Sequence, residues 1–218
     1  MMFSIKNLSF AYNHKDLIFK NCTFQLESNQ IVLLKGENGS GKTTLCRILT
    51  GLEKGFTGTL QLESNNLQEL SNIQIADMIF YLQQGSLRNI IASTPEDDLA
   101  IWQHKFQQDD SDEFKSTREK ALKYFRINKI KQKPLWELSN GQIKRIGLSA
   151  MLLNKNKYFI LDEQTSGLDK KLLDLLIAVL KNHKKKNLGA LIISHKNKIF
   201  DNLVDKTLQI KDKQVFEK

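Results

Sequence analysis

Two segments near the start of the chain, Phe3–Tyr12 and Leu17–Leu26, alternate apolar and polar residues. That period of two is the mark of half-buried strands, and the two segments read as an antiparallel pair. The next apolar stretch, Ile31–Leu34, is a continuous block, as expected of a strand buried on both faces. It runs directly into a glycine-rich turn, after which Thr43–Leu52 carries helical spacing. Thr57–Leu62 and Met78–Leu82 read as further strands.

The pattern changes between about Gln84 and Glu137, where the chain becomes polar and mostly helical in period. Thr94-Pro95-Glu96-Asp97 has the form of a helix start: a threonine cap, proline at the first helical position, and acids in the first turn. Gln107–Glu113 is an acidic break, and Ser116–Phe125 reads as a second amphipathic helix with Ala121, Leu122 and Phe125 on one side. From Gly141 a βα rhythm resumes: helix Gln142–Leu153, buried strand Tyr158–Leu161, helix Lys171–Lys181, buried strand Ala190–Ser194. A hairpin of Lys206–Gln209 with Val215-Phe216 closes the chain. Apolar strands alternating with helices predict an α/β fold whose mostly parallel core sheet is covered on both faces. An antiparallel β subdomain leads it and a helical subdomain is inserted. No internal repeat or low-complexity linker divides the chain. The expectation is one domain over 1–218, with 1–84 and 138–218 forming the core and β subdomain and 85–137 the insertion.

Composition narrows the class. The chain has 218 residues and 40% hydrophobic content, enough for a real core, and its 2 prolines and 11 glycines argue against a disordered or fibrous chain. Its longest apolar runs are strand-length, well short of the roughly 20 residues that span a bilayer. The N-terminus lacks a basic head followed by an apolar run, so no signal peptide is expected. Cys22 and Cys46 have no metal-ligand spacing and read as reduced thiols of a cytoplasmic protein. The net charge of +9 is compatible with an anionic partner or with a lysine-rich solvated surface. The densest basic run, Lys181-Asn182-His183-Lys184-Lys185-Lys186, sits at an expected helix end, where it suits the helix dipole. No aromatics interleave it as in a single-strand stacking platform, so nucleic acid is not the expected partner.

Gly36-Glu37-Asn38-Gly39-Ser40-Gly41-Lys42-Thr43 fits G-x-x-x-x-G-K-[ST] without mismatch, with a buried strand before it and a helix after. The glycines allow backbone N–H groups to converge on phosphates, and the helix N-terminus adds a dipole favourable to anions. Lys42 is expected to reach the β- and γ-phosphates of ATP, and Thr43 to ligate Mg²⁺. Thr44 completes the expected contact set. Tyr158-Phe159-Ile160-Leu161-Asp162-Glu163 is an apolar strand ending in two acids, and in a parallel sheet that end lies beside the phosphate loop. Asp162 is then expected to hold Mg²⁺ through water, and Glu163 to act as general base on the attacking water.

Together these residues resemble the ABC (ATP-binding cassette) ATPases, P-loop NTPases, over nearly the whole chain. The family's signature peptide, LSGGQ, is matched by Leu138-Ser139-Asn140-Gly141-Gln142. Its Walker B and D-loop stretch is matched by Ile160 to Asp169, its switch histidine by His195 in Leu191-Ile192-Ile193-Ser194-His195, and its adenine-stacking aromatic by Tyr12. The resemblance implies that Tyr12 stacks on adenine, a contact worth about 1–3 kcal/mol by analogy with base–aromatic stacking. It implies that His195 contacts the γ-phosphate and the water. It also implies that Ser139 and the Gly141 backbone bind the γ-phosphate of nucleotide on the opposite subunit, two cassettes meeting head-to-tail as a homo- or heterodimer, and that Gln142 and Asp169 belong to the nucleotide-binding set.

The Q-loop glutamine is either Gln83 or Gln84. Asn89–Ile101 looks like the Q-I-V-x-x-T-V-E-E-D-V-A-F segment of the energy-coupling-factor and cobalt-type importer ATPases, and a gapless match selects Gln84 for catalysis and Mg²⁺. The resemblance therefore implies an ATPase that sits peripherally on the cytoplasmic face of the membrane. It would energise an integral membrane transporter subunit, in an importer of a vitamin or metal ion. The alternative is a soluble, non-transport ABC ATPase for repair, assembly or regulation. Asn140 stands where the family has its first signature glycine. Gln164 stands where it has a proline, so the turn that places Glu163 lacks that stiffening. The chain ends soon after its last strand, and a dimer contact or regulatory element of the kind many importer ATPases carry there is expected to be absent.

Overall fold

The computed structural model describes residues 2–13, 16–104, 112–154 and 157–218. In chain order the strands and helices are β1 (Phe3–Ala11), β2 (Leu17–Leu26), β3 (Ile31–Gly36), α1 (Lys42–Leu49), β4 (Thr57–Leu62), β5 (Asn65–Asn66), α2 (Asn72–Met78), β6 (Ile79–Leu82), α3 (Pro95–His104), α4 (Asp112–Tyr124), α5 (Asn140–Leu153), β7 (Tyr158–Asp162), α6 (Lys170–Lys185), β8 (Ala190–Ile193), β9 (Lys206–Lys211) and β10 (Gln214–Glu217). The acidic break expected at 107–113 lies largely outside the described residues.

The strands form two sheets. One is antiparallel, ordered β2-β1-β4-β5; the other has the order β10-β9-β3-β8-β7-β6. In the second, β9, β3, β8, β7 and β6 run parallel and only β10 is antiparallel, paired to β9 as the expected hairpin. β7 and β8 are buried at every position, which is why their sequences do not alternate. One side of this sheet packs with the antiparallel sheet and α1, through residues such as Val32, Leu34, Leu45, Ile160 and Ile193. The other side packs α5 and α6 through Leu33, Phe159, Leu161, Leu148 and Leu176. A third cluster, Leu99, Ala121, Leu122, Ile127, Leu138, Ile143 and Ile146, joins α3, α4 and the start of α5. No helix among the described residues is long and apolar enough to cross a membrane.

The differences from the sequence-based expectation are local. α2 was not anticipated, because its 7 residues are too few to display a period. It is started by a reciprocal capping pair, Ser71 with Gln74. α4 begins at Asp112 rather than Ser116, so that Asp112 and Glu113 occupy its first turn, where acids suit the dipole. α6 runs to Lys185, four residues further than the apolar period shows, and the basic run forms its last turn.

The shared core makes the centre of β7 sensitive to volume. Ile160 is fully buried between the sheet and α1, so Ile160→Ala is expected to lower unfolding free energy by about 2–5 kcal/mol and Ile160→Val by about 0.5–1.5 kcal/mol. Denaturant titration of the two variants reads both values, and near-equal losses would contradict this packing.

Candidate active site

The carboxyl ends of β3, β8, β7 and β6 deliver the sequence-predicted residues to one edge of the sheet. The register aligns Leu34 with Ile193, Ile193 with Asp162, and Leu161 with Leu82. The residues that follow each strand therefore emerge side by side.

The loop from Gly36 to Gly41 curls tightly. The Lys42 ammonium donates to the carbonyls of Gly36 (2.9 Å) and Glu37 (2.8 Å), and the Ser40 N–H donates to the Glu37 carbonyl. Gly41, the N-cap of α1, has φ +102°; a Cβ there would meet Ile18 Cγ2 at 2.6 Å and the Phe19 ring at 2.9 Å. Gly36 is equally confined, because its Cβ would lie 2.5 Å from Ser40 Oγ. No side chain caps the start of α1. Its leading N–H groups thus face the curl of the loop, a ready anion site.

Beside them the Thr43 hydroxyl lies 2.7 Å from Asp162 Oδ2 and 3.4 Å from Gln84 Oε1. Asp162 is fully buried, and its second oxygen, Oδ1, has no hydrogen-bond partner. Burial pushes its carboxyl above the ordinary aspartate value; the Thr43 hydrogen bond opposes this and the neighbouring Glu163 carboxylate adds to it. Glu163 is itself buried and takes a left-handed backbone, φ +55°, which is strained for a residue with a side chain. Its N–H donates to the Ile193 carbonyl, and its Oε1 sits 3.2 Å from His195 Nε2. The His195 ring is largely exposed. These groups line a cleft of about 490 Å³ with Tyr12, Asn38, Gly39, Gly41, Lys42 and Thr44. Tyr12 is half exposed; its hydroxyl is 3.0 Å from Thr44 Oγ1 and its ring meets Phe10 edge-on at 5.0 Å.

The two adjacent glutamines part company. Gln84 lines the cleft, whereas Gln83 lines a separate groove with Phe80, Tyr81 and Trp102. Glu37 and Ser40 face a groove on the far side of the phosphate loop, next to Gln209–Lys213.

Ser139, Gly141, Gln142 and Asp169 are not brought into this cleft. Ser139 and Gln142 form a capping box at the start of α5, with Ser139 N–H donating to Gln142 Oε1 at 2.8 Å. The Asp169 carboxylate accepts the Leu172 N–H at 2.8 Å and caps α6. A Cβ on Gly141 would meet nothing nearer than 4.0 Å, so packing within this chain does not require glycine there.

Two side chains that sequence reasoning did not assign a role hold the loop after Asp162. Lys144 reaches from α5 to the Ser166 carbonyl (2.7 Å) and the Ser166 hydroxyl (2.9 Å). Gln164 is buried and its amide donates to main-chain carbonyls. The stiffness expected to be missing without proline is thus supplied by hydrogen bonds. Nothing in a one-dimensional pattern signals either contact, since each joins segments brought together only by the sheet.

The donor set fits Mg²⁺ and a triphosphate. One hydroxyl and one carboxylate with an unpartnered buried oxygen form the kind of partial set Mg²⁺ uses when water and phosphate oxygens complete its shell. The uncapped helix start and Lys42 are the complementary cationic half.

Comparison with known proteins agrees with this geometry. The family model described as ABC transporter matches residues 19–166. The chain is 27% identical over 214 residues to a putative ABC transporter ATP-binding protein of Bacillus cereus, covering 98% of this chain and 38% of that protein. It is 29% identical over 196 residues to the cytochrome c biogenesis ATP-binding export protein CcmA of Yersinia pseudotuberculosis, covering 90% of this chain and 87% of the relative. The chain spans little more than a third of the length of several Bacillus relatives it matches. Among solved structures, a dimeric ATP-binding cassette in a post-hydrolysis state with ADP and Pi superimposes with TM-score 0.87 at 20% identity over 100% of this chain and 98% of that one. The cbiO1 component of the transporter complex cbiONQ of Clostridium perfringens gives TM-score 0.79 at 23% identity over 99% of this chain and 86% of that one.

The Asp162 carboxyl bears on stability as well as chemistry. A folded-state pKa above the unfolded one adds stability that is present below the unfolded value, about 3.9, and is lost as pH rises through the folded value. Without nucleotide or metal, Asp162→Asn is therefore expected to raise the melting temperature at pH 7–8, and the gain should shrink as pH falls toward about 4. A gain that does not vary with pH would show that ionisation of Asp162 is not its source.

Proposed function

The chain belongs to the ABC transporter family of ATP-binding proteins, and from that premise we propose that it binds ATP with Mg²⁺ and hydrolyses it to drive a membrane transporter. The observation that carries the reading is that the Glu163 carboxylate and the Thr43–Asp162 pair open into the same cleft as the phosphate loop.

In this reading the loop N–H groups and Lys42 grip the phosphates, and Tyr12 stacks on the adenine. Thr43, Asp162 and Gln84 hold Mg²⁺, which when bound offsets charge on the β- and γ-phosphates. Glu163 takes a proton from water as the water oxygen attacks the γ-phosphorus and the bond to the bridging oxygen breaks. His195, already paired with Glu163, steadies that carboxylate and reaches the γ-phosphate.

The start of α5, with Ser139 and Gly141, lies outside the lining of the chain's own cleft. It is free to contact nucleotide on a second cassette packed head-to-tail. Closure of such a pair needs contacts to the γ-phosphate that exist only in the closed form. The membrane partner docks at the groove of about 270 Å³ lined by Leu52, Ile75, Phe80, Gln83 and Trp102, beside the inserted helical subdomain at 85–137. Exposed Leu87 and Ile91 lie in the segment that follows Gln84. Import, of a vitamin or metal ion, is favoured by the resemblance of residues 89–101 to importer ATPases. Export is the second reading, favoured by the similarity to CcmA over most of both chains.

Glu163→Gln is expected to retain ATP binding and to slow turnover by about 10²–10⁴-fold, the usual worth of a general base; undiminished phosphate release would remove Glu163 from that role. In the Glu163→Gln background, adding Ser139→Arg should leave ATP binding to the monomer intact and abolish ATP-dependent dimerisation in size-exclusion chromatography. A dimer that persists would rule out the head-to-tail arrangement.

A further inference from the structure

Gln164 stands at the carboxyl end of β7, directly after Glu163, and only 4% of it is exposed. Its side-chain amide lies within hydrogen-bond distance of three main-chain carbonyls: Asp162 at 2.7 Å, Gln83 at 3.0 Å and Leu82 at 3.3 Å. With three carbonyl oxygens around it, the nitrogen must face them, since an amide oxygen there would meet only acceptors. β6 and β7 are paired in parallel up to Leu82 and Leu161. The pairing of β6 with β7 ends there. The Gln164 amide lies against the carbonyls of Leu82 and Gln83 on one strand end and of Asp162 on the other, and so ties the two strand ends together.

The Gln83 carbonyl is also shared with the buried Asn89, whose Nδ2 donates to it at 3.0 Å while its Oδ1 accepts the Gln83 N–H at 2.8 Å. A continuous chain of hydrogen bonds thus runs from Asn89, through the Gln83 main chain, to Gln164 and the Asp162 carbonyl. Gln84, next in sequence, reaches Thr43 in the cleft. Glu163, one residue before Gln164, holds its strained left-handed backbone at the other end.

We propose that the Gln164 amide is a positioning residue for hydrolysis: it locks the segment 83–89 to the turn that presents Glu163. A proline at this position has no amide to bridge the strands, so stiffness alone would not reproduce the link. The inference rests on the reading of the cleft as an ATPase site, and its test has one arm that does not.

Two near-isosteric variants remove the donor: Gln164→Met makes the site apolar, and Gln164→Glu keeps the shape but directs acceptors at the carbonyls. In the nucleotide-free full chain, hydrogen–deuterium exchange is expected to rise by about tenfold or more in peptides covering 83–89 and 163–166, with core peptides of β3 and β8 unchanged. In steady-state hydrolysis, kcat is expected to fall by about 10²-fold, the scale of a small misplacement of a reacting group. Gln164→Glu should fall at least as far as Gln164→Met, while ATP affinity stays within about threefold. Unchanged exchange at 83–89 in both variants overturns the link whatever the activity. Raised exchange with kcat unaffected overturns the positioning role. A wild-type chain that neither binds nor hydrolyses ATP, with exchange raised in the variants, overturns the ATPase reading and leaves the structural link standing.

Discussion

Parallel pairing at one edge of the larger sheet is the constraint on which the rest of this molecule depends. Leu34, Ile193 and Asp162 stand in one register line across β3, β8 and β7, and β6 joins with Leu82 opposite Leu161. Because all four strands point the same way, the phosphate loop, Glu163, His195 and Gln84 leave the sheet at the same edge within reach of one another. One antiparallel strand among the four would have sent its residue to the opposite end. The buried faces of β7 and β8 hold the register, since a one-residue slip would turn their apolar side chains against the wrong layer.

Within that frame the site is built from groups that are individually unfavourable. Asp162 is a fully buried carboxylate with one oxygen unpartnered, Glu163 is a non-glycine residue at positive φ, and the start of α1 lacks a cap. Each is the kind of unsatisfied or strained feature that the interior otherwise avoids. Together they make a preorganised cavity of opposite halves, with backbone N–H groups and the Lys42 ammonium on one side and the Asp162 and Glu163 carboxylates on the other. Hydrogen bonds from Gln164 and Lys144 restrain the loop that carries the strained residue.

The helices that flank the sheet differ in where their starts lie relative to the cleft. α1 presents its N-terminus inward to the cleft. α5 starts outside the cleft, its first turn closed by the Ser139–Gln142 capping box. The two helix starts thus differ: that of α1 opens into the cleft without a side-chain cap, and that of α5 is closed by its own side chains. Gln83 lines an apolar groove while Gln84 lines the cleft, and the main chain between them is held at Gln83 by Asn89 and Gln164.

Local pattern sufficed for much of this. The strand–loop–helix around Gly36–Thr43, the apolar strand ending in Asp162-Glu163, the helix start at Thr94-Pro95 and the closing hairpin all depend on short-range rules of burial, backbone freedom and capping, so they can be read from consecutive residues. Chain order could not decide contacts between segments distant in sequence. Whether Gln83 or Gln84 enters the cleft depends on which face of the strand end meets Thr43 and Asp162. The capping roles of Ser139, Gln142 and Asp169 within the chain were equally compatible with a direct approach to nucleotide. The absence of proline after Glu163 reads as lost stiffness, but folding brings the carbonyls of residues 82 and 83 within reach of the Gln164 amide. A hydrogen bond across some eighty residues leaves no period, spacing or composition in the chain, and only the pairing of β6 with β7 brings its two ends together.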